Sequence, residues 1–267
     1  MCRFFTLFRL HFDSAFQQRG RSFVWFLASI IPPVLLMMYW NSVMKSTQNP
    51  VASMITPAFI TSYYVYYSIA ISVFVAHVEY EIAEIDIKRG ELSRYLVRPY
   101  PYIWLKFFEE LPWKLIQGSF GLITAICFFL FFPKLLSLPH DIFFVVGAFL
   151  IAISAYILCF MYKMVLGMCA FWLEDIQGIG QISEIVMVIF GGSIMPLILM
   201  PEWLRVVCNS MPFAYFLYYP IASFQGVLSQ TEVFAVLGIQ WMWIGFFMGL
   251  YMILWRAGLK IFTASGS

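Results

Sequence analysis

An all-α integral membrane protein is what this chain predicts: six transmembrane helices, an N-terminal amphipathic interfacial helix ahead of them, and re-entrant helices between the fifth and sixth spans. Two observations carry that expectation. Asp, Glu, Lys and Arg make up 11% of the 267 residues while 62% are hydrophobic, against roughly 25% charged in a soluble globular chain. Apolar runs of about 20 residues, enough to cross roughly 30 Å of hydrocarbon, recur about six times. The loops that remain are too short for a separate soluble domain of typical size, so residues 1–267 read as a single transmembrane domain.

The elements follow in order. In residues 1–22, Phe4, Phe5, Phe8, Phe12 and Phe16 fall within one arc of a 3.6-residue helix. Arg3, Arg9, Arg19 and Arg21 are placed to meet anionic lipid, so this segment is expected to lie in the membrane interface. It shows no small-residue cleavage signature, and the first span is expected to stay in the mature protein. That span runs Phe23–Trp40 with Trp25 and Trp40 as interfacial anchors. Pro32 and Pro33 remove two backbone donors at its middle and predict a kink. The freed carbonyls need cover, which predicts a helix packed inside the bundle. The second span is expected over Ile55–Val78, the third over Leu111–Phe132, the fourth over Ile142–Phe171, a shorter fifth over Ile185–Leu199 and the sixth over Val233–Trp255. Residues 191–231 are broken by Pro196, Pro201, Pro212 and Pro220. They predict short helices that dip into the outer leaflet and return under a cover of protein.

Orientation comes from the cations. The N-terminal arm, the group Lys88, Arg89, Arg94, Arg98 and Lys106, and the tail residues Arg256 and Lys260 share one side of a six-span chain; Lys45, Lys134 and Arg205 hold the other. Both termini are therefore expected in the cytoplasm. The loop Trp172–Glu184 dissents, with Glu174, Asp175 and Glu184 and no cation.

Catalytic patterns are missing. The chain has no phosphate-binding loop, no H-E-x-x-H and no G-x-S-x-G, so it is not expected to be an enzyme, and any ATP it uses is expected to be hydrolysed by another chain. His11, His77 and His140 sit apart near span boundaries, and five cysteines form no C-x-x-C pair, which argues against a metal site or a disulfide framework. A net charge of +2 is too small to argue for nucleic acid, where a clustered basic face is expected, and no nucleic-acid partner is expected.

Three groups of polar residues remain. Glu79, Glu81 and Glu84 leave the second span where ions are costly unless paired or wet, and are expected to pair with cations of the N-terminal arm. Lys163, in the fourth segment, is the best candidate for an intramembrane charge, with snorkelling to the cytoplasmic interface the favoured alternative. Tyr63, Tyr64, Tyr66 and Tyr67 form either an aromatic wall suited to an amphipathic passenger or an interfacial aromatic belt.

The most telling stretch is the island of charge in residues 79–110, centred on 87–99. Gly90 is expected as a left-handed cap, Glu91 near the positive end of a short helix, Arg94 and Arg98 toward its negative end, and Pro99 as its stop. Leu92 and Leu96 would share one face beside Tyr95, as a helix laid in a partner's groove requires. From charge alone a solvated loop fits equally well. The order Ile87-Lys88-Arg89-Gly90-Glu91-Leu92-Ser93-Arg94-Tyr95-Leu96-Val97-Arg98-Pro99, then Phe171-Trp172, then Gly191 to Pro196, Pro201, Met211-Pro212-Phe213, Pro220 and Gly226, resembles permease subunits of the type-two ATP-binding-cassette (ABC) exporters across nearly the whole chain. The resemblance implies a half-transporter of the cell (inner or plasma) membrane that moves a hydrophobic or amphipathic substrate outward. It also implies a second permease subunit, identical or paralogous, and two copies of a separate ATPase that binds the ATP and Mg2+. By the same resemblance, residues 87–99 are the coupling helix that docks on that ATPase. The Glu174-Asp175 loop departs from the family pattern and reads either as a second contact with the ATPase or as a solvated turn. An ion-coupled secondary transporter is the rival reading.

Overall fold

Residues 12–13, 16–17, 19–46, 56–132, 139, 141–173 and 176–262 are described by the computed structural model, and every regular element among them is helical. Five of the helices are long and apolar enough to cross a membrane. Of the expected interfacial helix, Phe12 and Phe16 are described; they are helical and their rings stack at 6.3 Å. Arg3, Arg9, Glu174 and Asp175 lie outside the described residues.

Helix α1 spans Arg19–Ser46, and Pro32 and Pro33 lie inside it without ending it. It does not pack inside the bundle as expected. Only 12% of its apolar window is buried, and it lies on the outside of α2 (Pro57–Phe74) and α5 (Tyr102–Phe131). Helix α2 begins where Thr56 accepts a hydrogen bond from the Phe59 amide and Pro57 occupies the first turn, a position where a missing N–H costs nothing. It breaks at Val75–His77, then resumes as α3 (Val78–Glu81) and a π-helical turn (Ile82–Lys88). A single turn, α4 (Ser93–Leu96), precedes α5, which starts nine residues before the expected third span, at Tyr102 rather than Leu111.

Helix α6 (Ile142–Met168) runs on through a 3₁₀ turn (Cys169–Phe171) and matches the expected fourth span. The fifth apolar segment differs from expectation. Helix α7 covers Ile176–Phe190 and not Ile185–Leu199. Gly192, at φ +82°, closes its end: the Ser193 amide reaches back to the Val188 carbonyl at 3.3 Å, the pattern of a Schellman cap on a left-handed residue. Glu184, expected in a loop, therefore sits inside a helix. At 15 residues and 1.5 Å per residue, α7 is about 22 Å long.

Each proline of the broken segment begins a short element. Pro196 precedes a 3₁₀ turn (Leu197–Leu199), Pro201 precedes α8 (Glu202–Ser210), Pro212 precedes α9 (Phe213–Phe216), and Pro220 lies in the first turn of α10 (Tyr218–Phe224). Helix α11 (Gln230–Gly258) opens on a capping box between Ser229 and Glu232. The core lies where α2 and α6 meet α9, α10 and α11, around Ile60, Ala148, Ile151, Phe216 and Ile221.

Candidate functional site

The segment between α2 and α5 is held by a buried polar knot. Asp86, with no exposed surface, accepts hydrogen bonds at Oδ2 from the Tyr102 hydroxyl at 2.6 Å and the Lys106 ammonium at 2.7 Å. Its main-chain carbonyl accepts from the Leu92 amide at 2.7 Å, which folds the chain back after Gly90. Gly90 has φ +76°, a left-handed conformation that glycine adopts at no steric cost. Lys106 is buried as well, and it also reaches Glu81 Oε1 at 2.7 Å, Glu109 Oε2 at 3.1 Å and the Tyr95 hydroxyl at 3.2 Å. A buried ammonium is tolerable only with such partners.

Tyr95 ties the knot to the surface. Its hydroxyl donates to Glu109 at about 2.9–3.0 Å, and its ring lies beneath the guanidinium carbons of Arg94 at 4.9 Å and Arg98 at 5.3 Å, a cation–π arrangement. Burial, opposed by Lys106 and aided by Glu109 and Asp86, pushes the phenol up to about 12, so it remains a neutral hydroxyl at physiological pH. Arg94 also pairs with Glu91 at 2.7 Å and faces Asp86 Oδ1 at 3.8 Å. Below, Tyr102 stacks on Trp255 of α11 at 4.9 Å.

This geometry corrects one expectation. Leu92 and Leu96 do not share an outward face. Leu92 and Tyr95 are buried, because the Asp86–Leu92 hydrogen bond turns Leu92 toward the bundle and α4 lasts only one turn. The outward apolar pair is Leu96 and Val97, 46% and 84% exposed. Around it Lys88, Arg89, Ser93, Arg94, Arg98 and Pro99 are exposed, while Ile87 and Gly90 are buried and Glu91 half-buried.

The acidic residues of the second span have partners nearer at hand, while the side chains of the arm's cations Arg3, Arg9, Arg19 and Arg21 lie outside the described residues. Glu79 forms an ion pair with Lys163, both without exposed surface, so Lys163 does not snorkel. Glu81 pairs with Lys106, and Glu84 with Lys88 at 2.8 Å. Nearby, the Tyr80 hydroxyl donates to Glu184 at 3.3 Å and Tyr162 bonds Ser183 at 2.7 Å, joining α3, α6 and α7.

Three of the four tyrosines are buried: Tyr63, Tyr64 and Tyr67. Tyr63 donates to the Gly192 carbonyl at 2.8 Å and Tyr64 to the Ile194 carbonyl at 2.7 Å, and Trp40 donates to that same carbonyl at 2.8 Å. Two of the tyrosines thus hold the segment that follows α7. Tyr66 instead packs against Phe224 at 6.2 Å and borders a side cavity.

Sequence reasoning missed Asp86, Tyr102 and Glu109, and gave Lys106 only as a loop cation. The available signal was the spacing of Lys106, Glu109 and Glu110 at i, i+3 and i+4, one face of a helix. In comparisons with known proteins, no curated protein and no solved structure matched the chain. A family model described as ABC-2 family transporter protein matches residues 30–266, almost the whole chain. With its several long apolar helices, the chain belongs to the ABC-2 transporter family, as a multi-pass permease of an ABC transporter whose setting includes an ATPase partner.

Proposed function

We propose that this permease serves an ATP-driven exporter that moves a hydrophobic or amphipathic substrate outward, and that residues 87–99 receive the stroke of a separate ATPase. The observation that carries this reading is the outward pair Leu96–Val97, ringed by exposed cations and mounted on the Asp86–Lys106 knot. A force applied there reaches the π-helical turn through Asp86, α5 through Lys106 and α11 through Tyr102 and Trp255, so three elements are drawn together. Rigid-body tilting of packed helices is an established way to exchange two openings.

In this reading α7 is the fifth of six spans, residues 191–231 re-enter the outer leaflet, both termini are cytoplasmic and the host is the cell membrane. ATP and Mg2+ bind the ATPase, which is present in two copies. The chain has no nucleotide-binding motif of its own, and a second permease, identical or paralogous, completes the path.

The test replaces the exposed patch and leaves the knot intact. Leu96→Asp with Val97→Asp should insert in the membrane at the normal level yet lose ATPase co-purification and transport. Retention of both by that variant would overturn the docking assignment. The rival ion-coupled reading draws its support from the buried Glu79–Lys163 pair. Uptake driven by a pH gradient in nucleotide-free vesicles would favour it.

A further inference from the structure

Among the described residues, a cavity of about 560 Å³ lies between α2, α5, α6 and α10, within the size range of sites that take small organic ligands. Leu115, Leu122 and Ile153 line it and are exposed, so it opens sideways toward the bilayer. Its wall is hydrocarbon except for Tyr66, Lys114 and Tyr156.

Tyr156 is the informative residue. It is 9% exposed, and its hydroxyl has no hydrogen-bond partner. Lys114, the one cation on the wall, does not donate to it. Two of the Lys114 donors go to Gln117 Oε1 at 3.2 Å and to His77 Nδ1 in its accepting tautomer at 3.4 Å, and the ammonium lies 3.6 Å from Glu110 Oε1. Glu110 also balances its charge. The polar end of the cavity thus offers one unused hydroxyl and no net charge. A buried donor left unpaired is costly, and a ligand oxygen that meets it regains that cost. An ionised ligand gains no counter-ion here and loses its hydration at membrane depth.

We propose that this cavity binds an uncharged lipophilic molecule of small-ligand size carrying one hydrogen-bond acceptor, a ketone, ether or amide oxygen, which enters from the bilayer and accepts the Tyr156 hydrogen bond. The site stands whether or not the exporter reading holds, since its test measures binding and requires neither ATPase nor transport.

The probe is a neutral alkoxybenzophenone, whose carbonyl is both the acceptor and the photoreactive group. It is irradiated with the full-length protein in lipid nanodiscs, and labelled peptides are mapped by mass spectrometry. Saturable labelling is expected in residues 107–122 and 149–157, well above that of lipid-facing α11. Tyr156→Phe should raise the half-saturating concentration about fivefold without lowering thermal stability, because the lost hydroxyl bonds nothing. Leu122→Trp should cut labelling by narrowing the mouth. An alkoxydiphenylmethane, which lacks the carbonyl, should compete more weakly, and the anionic benzoylbenzoate should not compete. Labelling spread evenly over α11 and α6, an unchanged half-saturating concentration in Tyr156→Phe, or equal competition by the carbonyl-free analogue would each overturn the site.

Discussion

Lys163 shows how far one residue's surroundings can invert its expected role. A lysine five residues from the end of an apolar helix can reach water by extending its stem, and sequence alone offered it no partner. The break at Val75–His77 is what supplies one: it carries Glu79 to the α6 face where Lys163 points. Two ions buried together cost desolvation that their attraction roughly offsets, so the pair adds little net stability, whereas removing one partner strands the other. Lys163→Met is therefore expected to destabilise the protein by about 3–5 kcal/mol, and Lys163→Met with Glu79→Leu to recover most of the loss. Unfolding midpoints of detergent-purified variants measure both. A double variant no more stable than the single one would mean that the pair is not what holds α3 on α6.

Among the elements, what could be read in the sequence depended on whether a local signal or a distant contact set the boundary. Helices α6 and α11 were legible because long apolar runs met local stops, and Gly90 was legible because a glycine after a charged helix end marks a left-handed cap. Helix α7 was misplaced because its polar residues Ser183 and Glu184 read as loop, when their partners Tyr162 and Tyr80 stand on other helices. The knot stayed hidden for the same reason: Asp86 and Lys106 are 20 residues apart and meet only once Gly90 has reversed the chain. The consequence for the candidate site is sharp. Gly90→Val forces a β-branched residue to φ +76°, which costs roughly 1–2 kcal/mol. Faster proteolytic cleavage within residues 88–99 and weaker ATPase co-purification should follow, with Gly90→Asn milder because asparagine tolerates that conformation.

The molecule as a whole is lopsided in a way that bears on its assembly. The second span is 67% buried over its most apolar window and α6 with its 3₁₀ extension 50%, whereas α1 reaches 12% and α5 17%. Lipid can cover an apolar side chain, but it cannot satisfy a backbone carbonyl. Pro32 and Pro33 withdraw two amide donors from α1, and Ala28, whose carbonyl faces the place of the Pro32 amide in an α-helical ladder, is exposed. Val34, Leu35 and Met38 continue that uncovered face. A second permease laid along α1 would cover the exposed Ala28–Pro32 turn and the apolar stripe together, and a path enclosed between two halves needs such a seam. Leu35→Cys is therefore expected to cross-link two permease chains under mild oxidation in native membranes, while Ile253→Cys on the equally exposed face of α11 should not. Efficient cross-linking through Ile253 with none through Leu35 would move the seam to α11.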